Sequence, residues 1–364
     1  MRTLIVDTAY PAFLRSLYER QPMLAGQPYV TQWRAQMDCF FGTADSYSHH
    51  LTGLGHESHE FIVNCMPLQR RWAAEHGVRI PSRLREKDER DVILTAQAMD
   101  FQPDVCYVQN LEALRPRTLT ALRRAGILLV GQLSTEPPAT RILRLFDLIV
   151  TPLPSLAELV DEIGVQAAVL PLAFDPRALG RLGRPPDEPS FDAVFVGSLR
   201  RFRRWKSNRI IEEAAHQVHI DFWGYGEREW RRSSPVRRNF HGRVWGLDML
   251  RVLRDARVSI NRHGDLTGPF AANMRLYEAT GVGSMLLTDE KVNLGDLFAP
   301  DREVVTYRTA DELAEAVRYY LSASEERAAI AAAGKKRTLQ DHTYDRRMQQ
   351  LVEIITGVAE ARAR

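Results

Sequence analysis

Three cysteines in 364 residues are too few for a disulfide framework. Cys39, Cys65 and Cys106 are odd in number and show no paired Cys-x-x-Cys spacing, which also argues against a structural zinc site, so all three are expected to be buried thiols. Long apolar runs are absent: nowhere do about 18 apolar residues occur in succession, which excludes a membrane-spanning helix. Met1 leads almost at once into LIVD (4–7), a buried-strand pattern, without the charged region, apolar run and cleavage site of a signal peptide. A cytoplasmic protein is expected, with peripheral membrane contact left open. Excess charge is missing too: the formal net charge is +3, and lysine supplies only five of the 49 basic residues. The run RRFRRWK (200–206) and the group Arg228, Arg231, Arg232, Arg237 and Arg238 are therefore read mostly as solvated surface, and no nucleic-acid partner is expected. Finally, no Gly-x-Gly-x-x-Gly follows the first strand and no acidic residue is placed for a dinucleotide ribose, which removes a nicotinamide enzyme.

What is present is globular composition, 45% hydrophobic and 26% charged, at a length suited to two α/β domains. Short apolar runs alternate with helical patterns, as a parallel sheet with crossover helices requires. LIVD (4–7), EFIVNC (60–65), DVCYVQN (104–110), ILLVGQL (127–133), DLIVTPLP (147–154) and VQAAVLPLAF (165–174) read as strands, and PLQRRWAAEHG (67–77) and LTALRRAG (119–126) as helices. Ser155 and Glu158 have capping-box spacing, as do Thr309 and Glu312. Residues 11–58 form a long insertion after the first strand, with helical patterns around QWRAQMDCFFG and a loop, YSHHLTGLGHE (47–57). Residues 175–190 hold four prolines and two glycines and read as a linker. A second unit follows with strands FDAVFVGSL (191–199), HIDFWGYG (219–226), RVSINRH (257–263) and SMLLTD (284–289). The expected organisation is an N-terminal domain 1–174, a linker 175–190, a C-terminal domain 191–343, and a helix 344–364 packing back on the first domain.

Candidate site residues follow from where anions meet backbone. Gly197 and Ser198 stand where a strand gives way to a helix, so N–H groups and the helix dipole can face a diphosphate, with Arg200 and Lys206 as neutralising cations. Arg201, Arg203 and Arg209 are alternatives to those two. In NMRLYEATGVGSMLLTD (273–289), Asn273 and Arg275 fall in the first helical turn, where phosphate is welcome, and Glu278 one turn on can accept from both ribose hydroxyls. The competing reading makes Glu278 a dipole-stabilising residue paired with Arg275 at the surface. His263 follows a strand and can touch phosphate or sugar. Asp45, His49, His50 and His56 crowd the N-terminal loop, and Asp45 and His56 are the candidates to take a proton from an acceptor hydroxyl.

FVGSL, the NMRLYEATG helix with LLTD, NLGDLFAPDREVVTY (293–307), the YYL and EER pair (319–327) and DHTYDRR (341–347) make the chain from 191 to about 350 resemble the spore maturation protein CgeB-like glycosyltransferases. FGTADSYSHHLTGLGHE (41–57), PDVCYVQN (103–110) and LPLAFDP (170–176) extend the likeness over nearly the whole chain. More distantly, the second half is similar to the large GT-B family that includes sucrose synthases. The resemblance implies a GT-B fold, two doubly wound Rossmann-like domains facing across a cleft, with the donor on the C-terminal domain and the acceptor on the N-terminal one. It implies a nucleotide-sugar donor (UDP-, GDP- or dTDP-linked), an acceptor that is a small molecule, a glycan or a protein, and no cofactor. Glu278 matches the ribose-binding second glutamate of the Glu-x7-Glu motif; Phe270 occupies the first position, which leaves retention or inversion open, and Ser198 stands where relatives often have arginine. No Asp-x-Asp pair is present, so positive side chains are expected to replace a metal. A nucleotide-sugar epimerase, or a non-catalytic glycan-binding or assembly protein of the same fold, are the alternatives.

Overall fold

The computed structural model describes residues 1–200 and 205–363, leaving aside the side chains of 205–207 and 363. Arg201 and Arg203, and the side chain of Lys206, lie outside the described residues. The chain forms two compact units, Met1–Pro171 with Arg347–Arg364, and Leu172–Arg346.

In the first unit, β1 (Arg2–Asp7), β2 (Glu57–Ile62), β3 (Val105–Val108), β4 (Leu128–Gln132), β5 (Leu148–Thr151) and β6 (Gln166–Val169) form one parallel sheet in the order β2-β1-β3-β4-β5-β6. Leu4, Ile5 and Val6 have no exposure, so β1 is covered on both faces, as the continuous apolar run predicts. Each such side chain contributes about 1.5–3 kcal/mol of burial. The winding reverses after β2, and the switch falls between β1 and β3. The last helix, Tyr344–Ala363, is clustered with this unit from Arg347 on; Arg347 donates to the Pro171 carbonyl at 2.9 Å and Arg362 lies 3.5 Å from Asp147.

In the second unit, β7 (Phe191–Ser198), β8 (Asp221–Tyr225), β9 (Phe240–Gly242), β10 (Ala256–Ile260), β11 (Met285–Asp289) and β12 (Val305–Tyr307) run in the order β12-β11-β10-β7-β8-β9, all parallel. Here the switch lies between β7 and β10. Residues 172–190 belong to this unit, where Arg254 donates to the Leu182 and Gly183 carbonyls at 3.0 Å each.

Several local expectations change on folding. The stretch 47–57 is largely helix, Ser46–Gly53, because Tyr47, Ser48 and Leu51 bury one face at helical spacing. Ser155 does not cap its helix: Pro154 takes the first helical position, so Leu153 is the cap and no side chain bonds there. The capping box at Thr309 does form, with Glu312 N–H donating to Thr309 Oγ1 at 3.1 Å. The sixth strand is only four residues, and Phe174 instead bridges Thr343. Cys39, Cys65 and Cys106 are thiols; Cys65 and Cys106 are buried and Cys39 is half-buried.

Candidate functional site

The second switch point collects polar groups from three strand ends. Gly197 and Ser198 close β7 within the sheet itself, paired with Gly224 and Tyr225 of β8, instead of standing in the turn. Arg200 follows, its guanidinium 5.7 Å from the Tyr225 ring centre. Beyond β10 come Asn261, Arg262 and His263, all buried. Arg262 donates to the Ser198 carbonyl at 3.0 Å and to that of His263 at 3.3 Å, and lies over the Phe195 ring, so a buried guanidinium is fixed between the two central strands.

His263 is held by Asp289, the last residue of β11. Asp289 Oδ1 accepts from the His263 backbone N–H at 2.8 Å and sits 2.7 Å from its Nδ1, and Lys291 lies 3.3 Å from Oδ2. Burial pushes the Asp289 carboxyl up, but the His263 bonds and the His263 and Lys291 charges outweigh it and hold the group below its usual range. A carboxylate on Nδ1 turns the opposite nitrogen toward other partners. Nε2 is enclosed and has no hydrogen-bond partner among the described residues.

The helix Met274–Val282 begins on Asn273, whose Oδ1 accepts from Leu276 N–H at 3.1 Å while its Nδ2 donates to Asn261 Oδ1 and the Arg262 carbonyl. Asn273 therefore ties the helix start to the end of β10. Arg275 is spent on protein groups: Nε donates to the Val196 carbonyl at 3.2 Å, Nη1 to Glu278 Oε2 at 2.7 Å, and Nη2 meets Met249 Sδ at 3.0 Å. Both members of the pair are largely buried, Arg275 at 15% and Glu278 at 11% side-chain exposure, so this is not the surface pair of the competing reading. Among the described residues only Arg275 donates to Glu278, through one carboxylate oxygen.

The candidates of the first unit separate. Asp45 precedes the helix Ser46–Gly53, and its carbonyl accepts from His49 N–H and Ser48 Oγ. His49 and His50 pack edge to face on that helix, with ring centres 5.0 Å apart. His56 immediately precedes β2, whose first residue pairs with Arg2, so it stands at the amino edge of the sheet beside Met1. Burial, and then the charge of the chain's amino terminus, lower its pKa. A six-residue strand, roughly 17 Å, separates that edge from the carboxyl ends. Within β2, Glu60 is buried against Ser48, which donates to it through both N–H (2.7 Å) and Oγ. Burial pushes Glu60 up to about 8 against those bonds, and the Asp45 charge adds to the push. Sequence reasoning missed Glu60, Arg262 and Asp289; a carboxylate inside an apolar strand and a basic residue between strand end and His263 were the available signals.

Residues 200–353 match the family model described as glycosyl transferase-like. A search of curated protein sequences gives no match. Among solved structures, the chain is similar to a glycosyltransferase from Rickettsia africae (TM-score 0.63, 9% identity, 98% of each chain covered). It is similar to Anabaena HepE, solved in complex with UDP-glucose (TM-score 0.62, 14% identity, 98% of this chain and 100% of that one). A third is sucrose-phosphate synthase from Thermosynechococcus elongatus (TM-score 0.61, 12% identity, 99% and 100%). At these identities the likeness is one of fold: the chain has the α/β architecture of GT-B glycosyltransferases, with two parallel six-stranded sheets flanked by helices. Among the described residues no helix is long and apolar enough to cross a membrane.

Proposed function

We propose that this protein is a cytoplasmic, metal-independent hexosyltransferase, of the CgeB-like kind, that moves a sugar from a nucleotide-sugar to an acceptor hydroxyl. The observation that carries the reading is the cluster at the second switch point, where Arg262, His263, Asn273 and the Arg275–Glu278 pair converge inside the segment that matches the glycosyl transferase-like family. Ligands of doubly wound sheets bind at such switch points.

The roles follow from the donors and acceptors available. Glu278 accepts the ribose hydroxyls, and Arg275, already bonded on three sides, positions that carboxylate instead of binding phosphate. The diphosphate lies against Gly197, Ser198 and the start of the helix at Asn273, with Arg200, Arg262 and Lys206 supplying the positive charge that stabilises the leaving group. His263 turns Nε2 to donor phosphate or sugar, its other nitrogen fixed by Asp289. A UDP-linked donor is favoured by the likeness to HepE, solved with UDP-glucose.

Donor turnover is expected to persist in excess chelator, because side chains of the protein carry the positive charge. Release of nucleoside diphosphate from UDP-glucose, GDP-mannose and dTDP-glucose, assayed with and without EDTA, checks this. Full loss with EDTA, restored by Mg²⁺ or Mn²⁺, contradicts metal independence.

A further inference from the structure

The outer edge of the second sheet carries a dense run of positive charge. Residues 226–245, which follow β8 and include β9, hold six arginines and two glutamates, a formal +4 in a chain whose whole net charge is +3. In the sequence these arginines read as solvated surface; the structure adds their placement. β9 is the last strand in the sheet order, so the segment lies along the sheet's open side. Arg228, Arg231, Arg232, Arg238 and Arg243 are exposed there and Arg237 is half-buried. Among the described residues only Arg228 of the six lies within 4 Å of a carboxylate, that of its neighbour Glu227 at 3.5 Å. Like charges repel, so arginines crowded without carboxylate partners are a cost to the fold unless an anion meets them.

The segment that displays them is anchored from beneath. Trp230 is buried and its Nε1 donates to the Leu199 carbonyl at 2.7 Å, while Arg237 Nη1 donates to the Trp230 carbonyl at 3.5 Å. The short helix Pro235–Arg238 buries Pro235 and Val236. Gly226 lies so near Arg200 that a Cβ there would stand 2.6 Å from the Arg200 backbone nitrogen, which brings the start of the RRFRRWK run against the same segment.

What the face lacks defines its partner. Protein interfaces centre on large aromatic or apolar anchors, and among the described residues of 208–245 no large apolar side chain is exposed. Single-stranded nucleic acid is held by stacking on open aromatic rings. Here Trp223 is buried and stacked on His241, and Trp230 is buried as well. A bilayer containing anionic lipid requires neither feature, because it presents a continuous negative surface that attracts each nearby arginine.

We propose that this edge docks the protein on an anionic phospholipid surface by charge alone, with Arg231, Arg232 and Arg238 as principal contacts. The proposal is independent of the glycosyl-transfer reading. Docking of this kind is screened by salt, because the contacts stay in water outside the hydrocarbon.

The test sediments the full chain with vesicles of pure phosphatidylcholine and of phosphatidylcholine with about one third phosphatidylglycerol. At about 50 mM salt, partitioning should be at least about tenfold stronger onto the anionic vesicles, and at about 300 mM salt it should fall at least about fivefold. The triple variant Arg231→Gln, Arg232→Gln, Arg238→Gln should bind anionic vesicles at least about tenfold more weakly. The control is Arg79→Gln, Arg124→Gln, Arg141→Gln, which removes the same charge from exposed positions of the first unit and should stay within about threefold of wild type. Circular dichroism confirms that both variants are folded. Equal partitioning onto neutral vesicles, an edge variant that binds like wild type, or equal losses in the two variants overturns the proposal. Preference for a random-sequence RNA, when RNA and anionic vesicles compete at about 150 mM salt, assigns the face to nucleic acid and overturns it as well.

Discussion

Glu278→Ala should weaken nucleoside diphosphate affinity by one to three orders of magnitude. The carboxylate sits at 11% exposure with one oxygen on Arg275, and only Arg275 donates to it among the described residues. If the ribose hydroxyls supply the remaining donors, each hydrogen bond to the charged group is worth roughly 1.5–3 kcal/mol, and losing one, or two that together are worth about 4 kcal/mol, gives that range. The variant also leaves the Arg275 guanidinium with only the Val196 carbonyl and Met249 sulfur, so a stability loss of roughly 1–2 kcal/mol is expected, moderated by its partial exposure. Calorimetry with UDP and 2′-deoxy-UDP separates the two effects. The wild type should prefer the ribose form and the variant should not. Unchanged affinity and preference in a folded variant would remove Glu278 from the ribose position and leave it a structural partner of Arg275.

Gly224→Ala should destabilise the second unit by roughly 2–6 kcal/mol, the sum of backbone strain and overpacking at about 1–3 kcal/mol each. Gly224 faces Gly197 across the β7–β8 pair and has φ +133°, and a methyl group there would stand 1.8 Å from the Gly197 carbonyl oxygen. The obstacle is backbone in the middle of a sheet, so no side chain can swing aside to relieve it. Gly268→Ala is the control: φ is +54° and ψ −123°, a conformation that favours glycine at about 1–3 kcal/mol, but nothing lies within 4 Å, so overpacking is absent. Urea titrations should place the Gly224→Ala midpoint below that of Gly268→Ala. Equal midpoints would mean that the two strands do not approach as closely as described.

The strands were legible because both sheets are parallel and covered on both faces, which writes each strand as a short continuous apolar run. As candidates, Glu278 and His263 could be picked out for a related reason, since each lies within a few residues of a recognisable strand or helix end. Arg262 and Asp289 were not. They stand at the ends of different strands, and only the sheet order, which sets β10 beside β11, brings Asp289 onto His263. His56 shows the converse: it is eleven residues from Asp45 in sequence, yet the helix Ser46–Gly53 carries the chain back to the amino edge before β2 begins. That helix was hidden by its composition, because SYSHHLTG has little apolar periodicity and its burial depends on Tyr47, Ser48 and Leu51 meeting the sheet. Phosphate binding by Arg275 looked plausible from its place in the first turn, but its guanidinium is bonded to the Val196 carbonyl, Glu278 and the Met249 sulfur, which no local pattern reveals.

The central claim, that the second unit holds a nucleotide-sugar, is tested most directly by a thermal-shift series of the full chain with UDP-, GDP- and dTDP-sugars and their free diphosphates. A ligand that binds only the folded state stabilises it by about 2.7 kcal/mol at a concentration 100-fold above Kd, which corresponds to several degrees in Tm. One nucleotide family, UDP above the others, should raise Tm in a saturable way, and Glu278→Ala should reduce that shift. A Tm that no nucleotide or nucleotide-sugar changes at millimolar concentration would contradict the account.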